Sequence, residues 1–197
     1  MVRLTHHPEQ LIEGRLMLYL ILFLILLSGQ TTLAQPRDGG ALEIRVKDHR
    51  DAIDDFSKLE IILETVLVSP KSGLKFWQTG WKELKPTAER VDLTRYVGNR
   101  SATIFKGEIA SGSFEAIHLK LKGVEGILKK GEDRTAIKNL VGPIKLSFSV
   151  AAKQATLIVL DLTVVDMSDH PPRGYELQLQ GYELYSNGKL VEKIPPG

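Results

Sequence analysis

The chain is organised around positions 41–70, which begin with alternating hydrophobic and polar residues. Leu42, Ile44 and Val46 are separated by charged residues, and this period of two is typical of a strand with one buried face. The run KLEIILETVLVSP at positions 58–70 is apolar on both faces, which predicts a central strand covered from two directions. The polar loop DHRDAIDDFS separates the two strands.

Further short strands are predicted along the rest of the chain. Alternating or continuous apolar patterns mark segments 90–93, 103–109, 114–122, 136–140, 144–150 and 156–165. Asn187-Gly188 lies between two such runs and predicts a hairpin with a type I′ turn. No helical period is sustained, so the pattern favours a single all-β domain. We expect an antiparallel β-sandwich or barrel with Greek-key connections.

The residues before this domain predict an export signal. The apolar run LMLYLILFLILL at positions 16–27 follows Arg15, and Thr32-Leu33-Ala34 fits a signal-peptidase site. The run is shorter than the ~20 residues of a spanning helix. We therefore expect a signal peptide at 1–34, a linker at 35–40 and a β-sandwich domain at 41–197 outside the cytoplasm. An uncleaved membrane anchor formed by residues 16–27 is the alternative.

Composition narrows the classes of function. The chain has 197 residues, a net charge of +2 and no cysteine, which excludes disulfides, thiolate metal sites and a cysteine nucleophile. Lysines alternate with glutamates, so no basic tract indicates a nucleic-acid partner. The sequence also lacks the motifs of metalloproteases, α/β-hydrolases and phosphate-binding loops. We expect a protein that is not an enzyme.

Three aromatic residues in or near loops are candidate ligand contacts. Exposed aromatic rings at the edge of a β-sandwich can stack on sugars, and we expect such positions for Trp77, Trp81 and Tyr96. The alternative is that these rings fill the core, because a Trp buries a large apolar area in a small domain.

The loop between the first two strands is a candidate metal site. Asp48, Asp51, Asp54 and Asp55 offer carboxylate oxygens, the ligands that Ca²⁺ prefers. Their spacing matches no calcium loop. The alternative is a solvated turn in which one of the aspartates caps a helical turn. No other cofactor is expected.

The ordered set of segments resembles a known family. The segments are the strand and Asp-rich loop at 44–55, KLEIILETVLV, GWKEL at 80–84, VDL at 91–93, GEIASGSFEAIHL at 107–119, LVGPI at 140–144 and the Leu160-Asp161-Leu162 strand. Together they resemble the exported prokaryotic family catalogued as domain of unknown function 4382, over roughly residues 41–185. The resemblance implies a prealbumin- or immunoglobulin-like sandwich and no assigned activity. Many members are lipoproteins, but this chain lacks the cysteine for a lipid anchor. Phe114 stands where relatives typically have Tyr; if that Tyr acts as a corner tether through its hydroxyl, the tether is missing in this chain.

Two functional hypotheses follow. The first is an exported β-sandwich that binds a polysaccharide or another cell-envelope component through Trp77, Trp81 and Tyr96. The second is a structural module that assembles with a cell-envelope protein through exposed sheet edges, tethered to the membrane if residues 16–27 are not cleaved.

Overall fold

The computed structural model describes residues 39–71, 80–169 and 174–194. The predicted signal peptide and membrane anchor lie outside the described residues. Within these ranges the chain forms eleven strands and two short 3₁₀ helices. The strands are β1 (Gly39–Asp48), β2 (Phe56–Pro70), β3 (Lys82–Leu84), β4 (Arg90–Asp92), β5 (Ala102–Ala110), β6 (Gly112–Leu128), β7 (Arg134–Asn139), β8 (Ile144–Val150), β9 (Ala155–Asp166), β10 (Tyr175–Ser186) and β11 (Lys189–Ile194). The helices are Ala52–Asp55 and Leu93–Arg95. The all-β prediction is confirmed.

The strands form one continuous and nearly closed sheet. Their order is β3-β2-β6-β7-β10-β9-β1-β5, with β4 on β2, β8 on β6 and β11 on β10. β7 joins the two halves of this path, because it pairs with β6 through Arg134–Ala136 and with β10 through Ile137–Asn139. A two-sheet sandwich with Greek-key connections stays a prediction.

The prediction that all strands are antiparallel is wrong for two pairs. β1 runs parallel to β9, and the first residues of β10 run parallel to β7. The alternation of buried and exposed residues is the same in both kinds of pairing, so the sequence pattern carries no information on strand direction. The parallel partner β9 is buried on both faces from Ile158 to Val164, as is typical of strands in parallel pairing.

The apolar residues on both faces of β2 were predicted to mean a central strand that is covered from two directions. The structure shows a different cause. Leu59, Ile61 and Leu63 are buried, and after Glu64 the buried positions become Val66 and Val68. The register to β6 shifts between Leu63 and Thr65, so Glu64 is the extra residue of a β-bulge. One extra residue reverses which side chains face the core. β2 therefore has one continuous buried face.

β1 begins two residues before the predicted domain boundary, inside the predicted linker. A Cβ atom on Gly40 would lie 2.2 Å from the carbonyl oxygen of Ala151, a distance that no side chain tolerates. Glycine at position 40 therefore lets the start of β1 pass close to the loop after β8.

The predicted hairpin at the end of the described chain is present. Ser186 pairs with Lys189, and the two turn residues Asn187 and Gly188 have φ values of +48° and +77°. These are the positive φ angles that a type I′ turn requires. The turn places β11 along the second half of β10.

Candidate functional site

Two strands leave an edge unpaired on the same side of the sheet. Among the described residues, β8 pairs only with β6 and β11 pairs only with β10. Residues of both strands line the same two adjoining clefts, which meet at Ser147. We call this region the β8–β11 seam.

Trp81 lies in one of the two clefts of the seam. This Trp81 cleft has a volume of about 690 Å³ and is lined by the indole together with Glu115, Lys145, Ser147 and Glu192. Trp81 is 41% exposed, and its ring makes an edge-on contact with His118 at a centroid distance of 6.1 Å. An exposed aromatic face therefore lies beside charged and hydroxyl groups.

The hydroxyl of Tyr182 also lies in the Trp81 cleft and donates a hydrogen bond of 3.0 Å to Glu192. Burial and this hydrogen bond raise the pKa of Tyr182 to about 12. The phenol therefore stays protonated at any physiological pH and holds the Glu192 carboxylate at the edge of the cleft.

The second cleft of the seam, of about 440 Å³, has an aromatic floor. Phe114 and Phe148 are buried and stack on each other, with ring centroids 5.0 Å apart. Leu184 is buried beside them, and Ser149 and Val191 are exposed at the rim. Stacking on Phe148 therefore holds the ring of Phe114 in place.

The other two predicted aromatic contacts do not join Trp81. Tyr96 is half-buried, packs against the core and does not line the Trp81 cleft. Its carbonyl oxygen accepts a hydrogen bond of 2.8 Å from the backbone N–H of Asp48. Trp77 lies outside the described residues.

The four aspartates of the predicted metal loop are not brought together. Asp51, Asp54 and Asp55 are exposed around the helix Ala52–Asp55, whereas Asp48 is fully buried. Asp51 occupies the predicted capping position, but its side chain makes no capping hydrogen bond. Within the described ranges, no group of three or more His, Cys, Asp or Glu side chains has the geometry to hold a metal ion.

Asp48 instead meets a residue that the sequence analysis missed, Asp161 of β9. Both residues line a cavity of about 200 Å³, which we call the Asp48 cavity. Burial raises the pKa of Asp48 to about 6. A hydrogen bond from the backbone N–H of Arg50 lowers the pKa, and the nearby charge of Asp161 raises it. The signal for its burial was present in the sequence, because Asp48 continues the period of two that Ile44 and Val46 establish on the buried face of β1.

Glu183 fixes the opposite wall of the Asp48 cavity. It accepts a hydrogen bond of 2.6 Å from the Tyr185 hydroxyl, and it pairs with Lys193 at 3.1 Å and Lys47 at 3.3 Å. Burial alone would raise the pKa of Glu183, but these hydrogen bonds and the Lys47 charge lower it to about 2. The carboxylate is therefore ionised at physiological pH and ties β1, β10 and β11 together.

The family model described as Domain of unknown function (DUF4382) matches residues 39–178. The chain belongs to this family. The match confirms the family that the ordered segments predicted. The part of the DUF4382 domain that matches ends within β10, before the β10–β11 hairpin. The β11 side of the seam therefore lies beyond the matched residues.

No curated protein and no solved structure matches the chain significantly. In the described part of this DUF4382 protein, no helix is long and apolar enough to cross a membrane.

Proposed function

We propose that the protein is a non-enzymatic binding module that works outside the cytoplasm and takes up a glycan or another cell-envelope component in the Trp81 cleft. The export signal predicted at residues 1–34 supports the location. The observation that carries the proposed activity is the exposure of Trp81 in a cleft that also holds carboxylate, ammonium and hydroxyl groups.

The chemistry of the Trp81 cleft suits a sugar ring. The apolar C–H face of a sugar packs against an aromatic ring, and its hydroxyls exchange hydrogen bonds with polar groups at the rim. Glu115 and Glu192 supply acceptors, Lys145 supplies a donor and Ser147 supplies both. Both signs of charge are present, so the cleft is suited to a polar ligand and does not require a strongly charged one.

Replacing Trp81 by alanine is expected to weaken this binding strongly without unfolding the domain. Because the indole is 41% exposed, its removal leaves the buried core intact. We expect a loss of affinity of about 5- to 150-fold, taking the cost of about 1–3 kcal/mol that is typical when an aromatic ring stacked on a nucleobase is removed. The measurement is retention of the purified protein on a panel of soluble and insoluble polysaccharides that includes cell-wall fractions.

The matched control for this experiment is Tyr96→Phe, which keeps the ring that packs against the core and lies outside the Trp81 cleft. Retention equal to wild type in the Trp81→Ala protein, with an unchanged melting temperature, contradicts the proposed role of Trp81. A melting temperature lowered by many degrees reassigns Trp81 to the core.

The exposed strand β11 favours a second candidate function, assembly with a protein partner. Every residue of β11 is exposed, including Leu190 at 53%, Val191 at 62% and Ile194 at 44%. An apolar edge strand is a template for an added strand from another chain. If no polysaccharide is retained by the wild-type protein, this candidate replaces the first, and the surface is the same β8–β11 seam.

A further inference from the structure

The continuous sheet divides after β7. β7 pairs with β6 on one side and with β10 on the other, so β6 and β10 lie one strand apart there. Farther along, β8 takes the same edge of β6 and β11 takes the same edge of β10, because β2 and β9 occupy the opposite edges. β8 and β11 are not hydrogen-bonded to each other. Their outer edges therefore face one opening, which is the β8–β11 seam.

The two strands that flank this opening run in opposite directions. β7 and β8 are both antiparallel to β6, and β7 is parallel to β10. β8 therefore has the direction of β10, whereas β11 is antiparallel to β10. A strand placed in the seam would run parallel to one neighbour and antiparallel to the other, and both pairings already occur in this sheet.

Exposed apolar side chains are concentrated along the seam. The large hydrophobic residues that are exposed in the described part of the chain are Trp81, Leu140, Leu190, Val191 and Ile194. Trp81 and Val191 line the two clefts, Leu190 and Ile194 belong to β11, and Leu140 directly follows β7. Water satisfies the polar backbone groups of an edge strand, but it gains nothing from apolar side chains. These side chains therefore favour a partner with apolar groups of its own.

The charges of the two strands favour a partner of negative charge. The charged residues of β8 and β11 are three lysines and one glutamate, a net charge of +2: Lys145, Lys189, Lys193 and Glu192. Acidic side chains on an added strand would lie opposite these lysines, and opposite charges on neighbouring strands are stabilising. Pairing with β11 of a second copy would instead bring together two strands that are both positively charged. Charge therefore favours another protein over a second copy.

We propose that the β8–β11 seam binds an extended acidic peptide segment of another protein, which adds to the sheet as a strand between β8 and β11. Backbone hydrogen bonds to the two edges supply affinity, and alternate side chains point toward the floor formed by Phe114 and Phe148. β8 has seven residues and β11 has six, so the added strand has about six. The segment carries apolar residues at every second position and acidic residues between them. This inference rests on the second candidate function, assembly with a protein partner, and is independent of sugar binding.

The test is fluorescence anisotropy of labelled synthetic peptides, titrated with the purified full chain. The peptides have about six residues, in which valine, isoleucine or phenylalanine alternates with threonine or glutamate. We expect the glutamate peptides to bind, and the same peptides with lysine in place of glutamate to bind about tenfold more weakly at low salt. Methylation of the backbone nitrogen at every second residue removes N–H donors and keeps the side chains, so it is expected to abolish binding.

Val191→Ser is expected to weaken binding of the glutamate peptides about tenfold, because it removes an apolar side chain that the added strand covers. Val191 is 62% exposed, so the free variant is expected to keep the melting temperature of wild type. Val165→Ser makes the same change on β9, outside both clefts, and is expected to bind as wild type does.

Hydrogen exchange of the complex locates the bound peptide. We expect slower exchange of the backbone amides of β8 and β11, and unchanged exchange in β5, which ends the strand order elsewhere in the sheet.

The proposal is overturned by any of the following results: no binding of any glutamate peptide, equal binding of the lysine or the N-methylated peptides, wild-type affinity of Val191→Ser, or slower exchange that leaves β8 and β11 unchanged. Dimers of the free chain that Val191→Ser abolishes would assign the seam to a second copy and also overturn it. Retention of a polysaccharide by a protein that binds no peptide removes this inference and keeps the glycan function. Peptide binding without retention of any polysaccharide does the reverse.

Discussion

Replacing Asp48 by asparagine is expected to stabilise the protein by about 3 kcal/mol at pH 8. Burial raises the pKa of Asp48 from 3.8 to about 6, and each pKa unit corresponds to about 1.4 kcal/mol. The folded state keeps its proton to higher pH than the unfolded chain. Its stability therefore falls as the pH rises from about 4 through 6, and the full penalty is present at pH 8. The asparagine side chain of the variant carries no charge and retains an acceptor for the backbone N–H of Arg50.

The measurement is chemical denaturation of wild type and Asp48→Asn between pH 4 and pH 8. The groups whose charges act on Asp48 are Asp161, His49 and Asp51, and all three are kept in the variant. We expect the two proteins to converge below pH 4 and to diverge above pH 6. Asp54→Asn, on an exposed residue, is expected to follow wild type. A variant that is less stable than wild type at pH 8 contradicts this account.

Replacing Phe114 by alanine is expected to destabilise the protein by about 3–5 kcal/mol, the usual cost of removing a buried aromatic ring. Phe114 is 2% exposed and stacks on Phe148, and Nζ of Lys82 lies 5.8 Å from its ring centroid. The change therefore removes the floor of the second cleft of the seam and leaves a cavity beneath β6 and β8.

Thermal and chemical denaturation measure this loss, and Phe114→Tyr is the control. Tyrosine keeps the stacked ring, so we expect a smaller loss of stability than for Phe114→Ala. A Phe114→Ala protein as stable as wild type contradicts the packing of β6 against β8 described above.

Local patterns in the sequence predicted the strands well but not their partners. The alternation of Leu42, Ile44 and Val46 predicts β1, and Asn187-Gly188 predicts the last hairpin because only a few residues accept positive φ at both positions. The parallel pairing of β1 with β9 depends on residues more than 100 positions apart, such as His49 and Asp161. No local period records such a pairing.

The candidate site was predicted in part. The aspartate loop was selected because it holds four carboxylates. Of these four residues only Asp48 is buried, and Asp161 lies in a strand whose apolar pattern predicts a place in the core. The bulge at Glu64 was missed because an added residue and a two-faced strand give the same apolar pattern. The exposure of Trp81 depends on how it packs at the start of the three-residue strand β3, which is too short for a pattern to decide.

We propose that the ligand reaches the Trp81 cleft through the β8–β11 seam, and blocking the seam tests this most directly. The chain has no cysteine, so Ser147→Cys gives one reactive thiol at the point where the two clefts meet. Ser57→Cys, on an exposed residue of β2, is the matched control. Each variant is modified with a maleimide that carries a bulky polyethylene glycol chain, and its retention on the cell-wall polysaccharide fraction is measured. We expect modified Ser147→Cys to lose retention while modified Ser57→Cys keeps it. Equal retention of the two modified proteins contradicts the account.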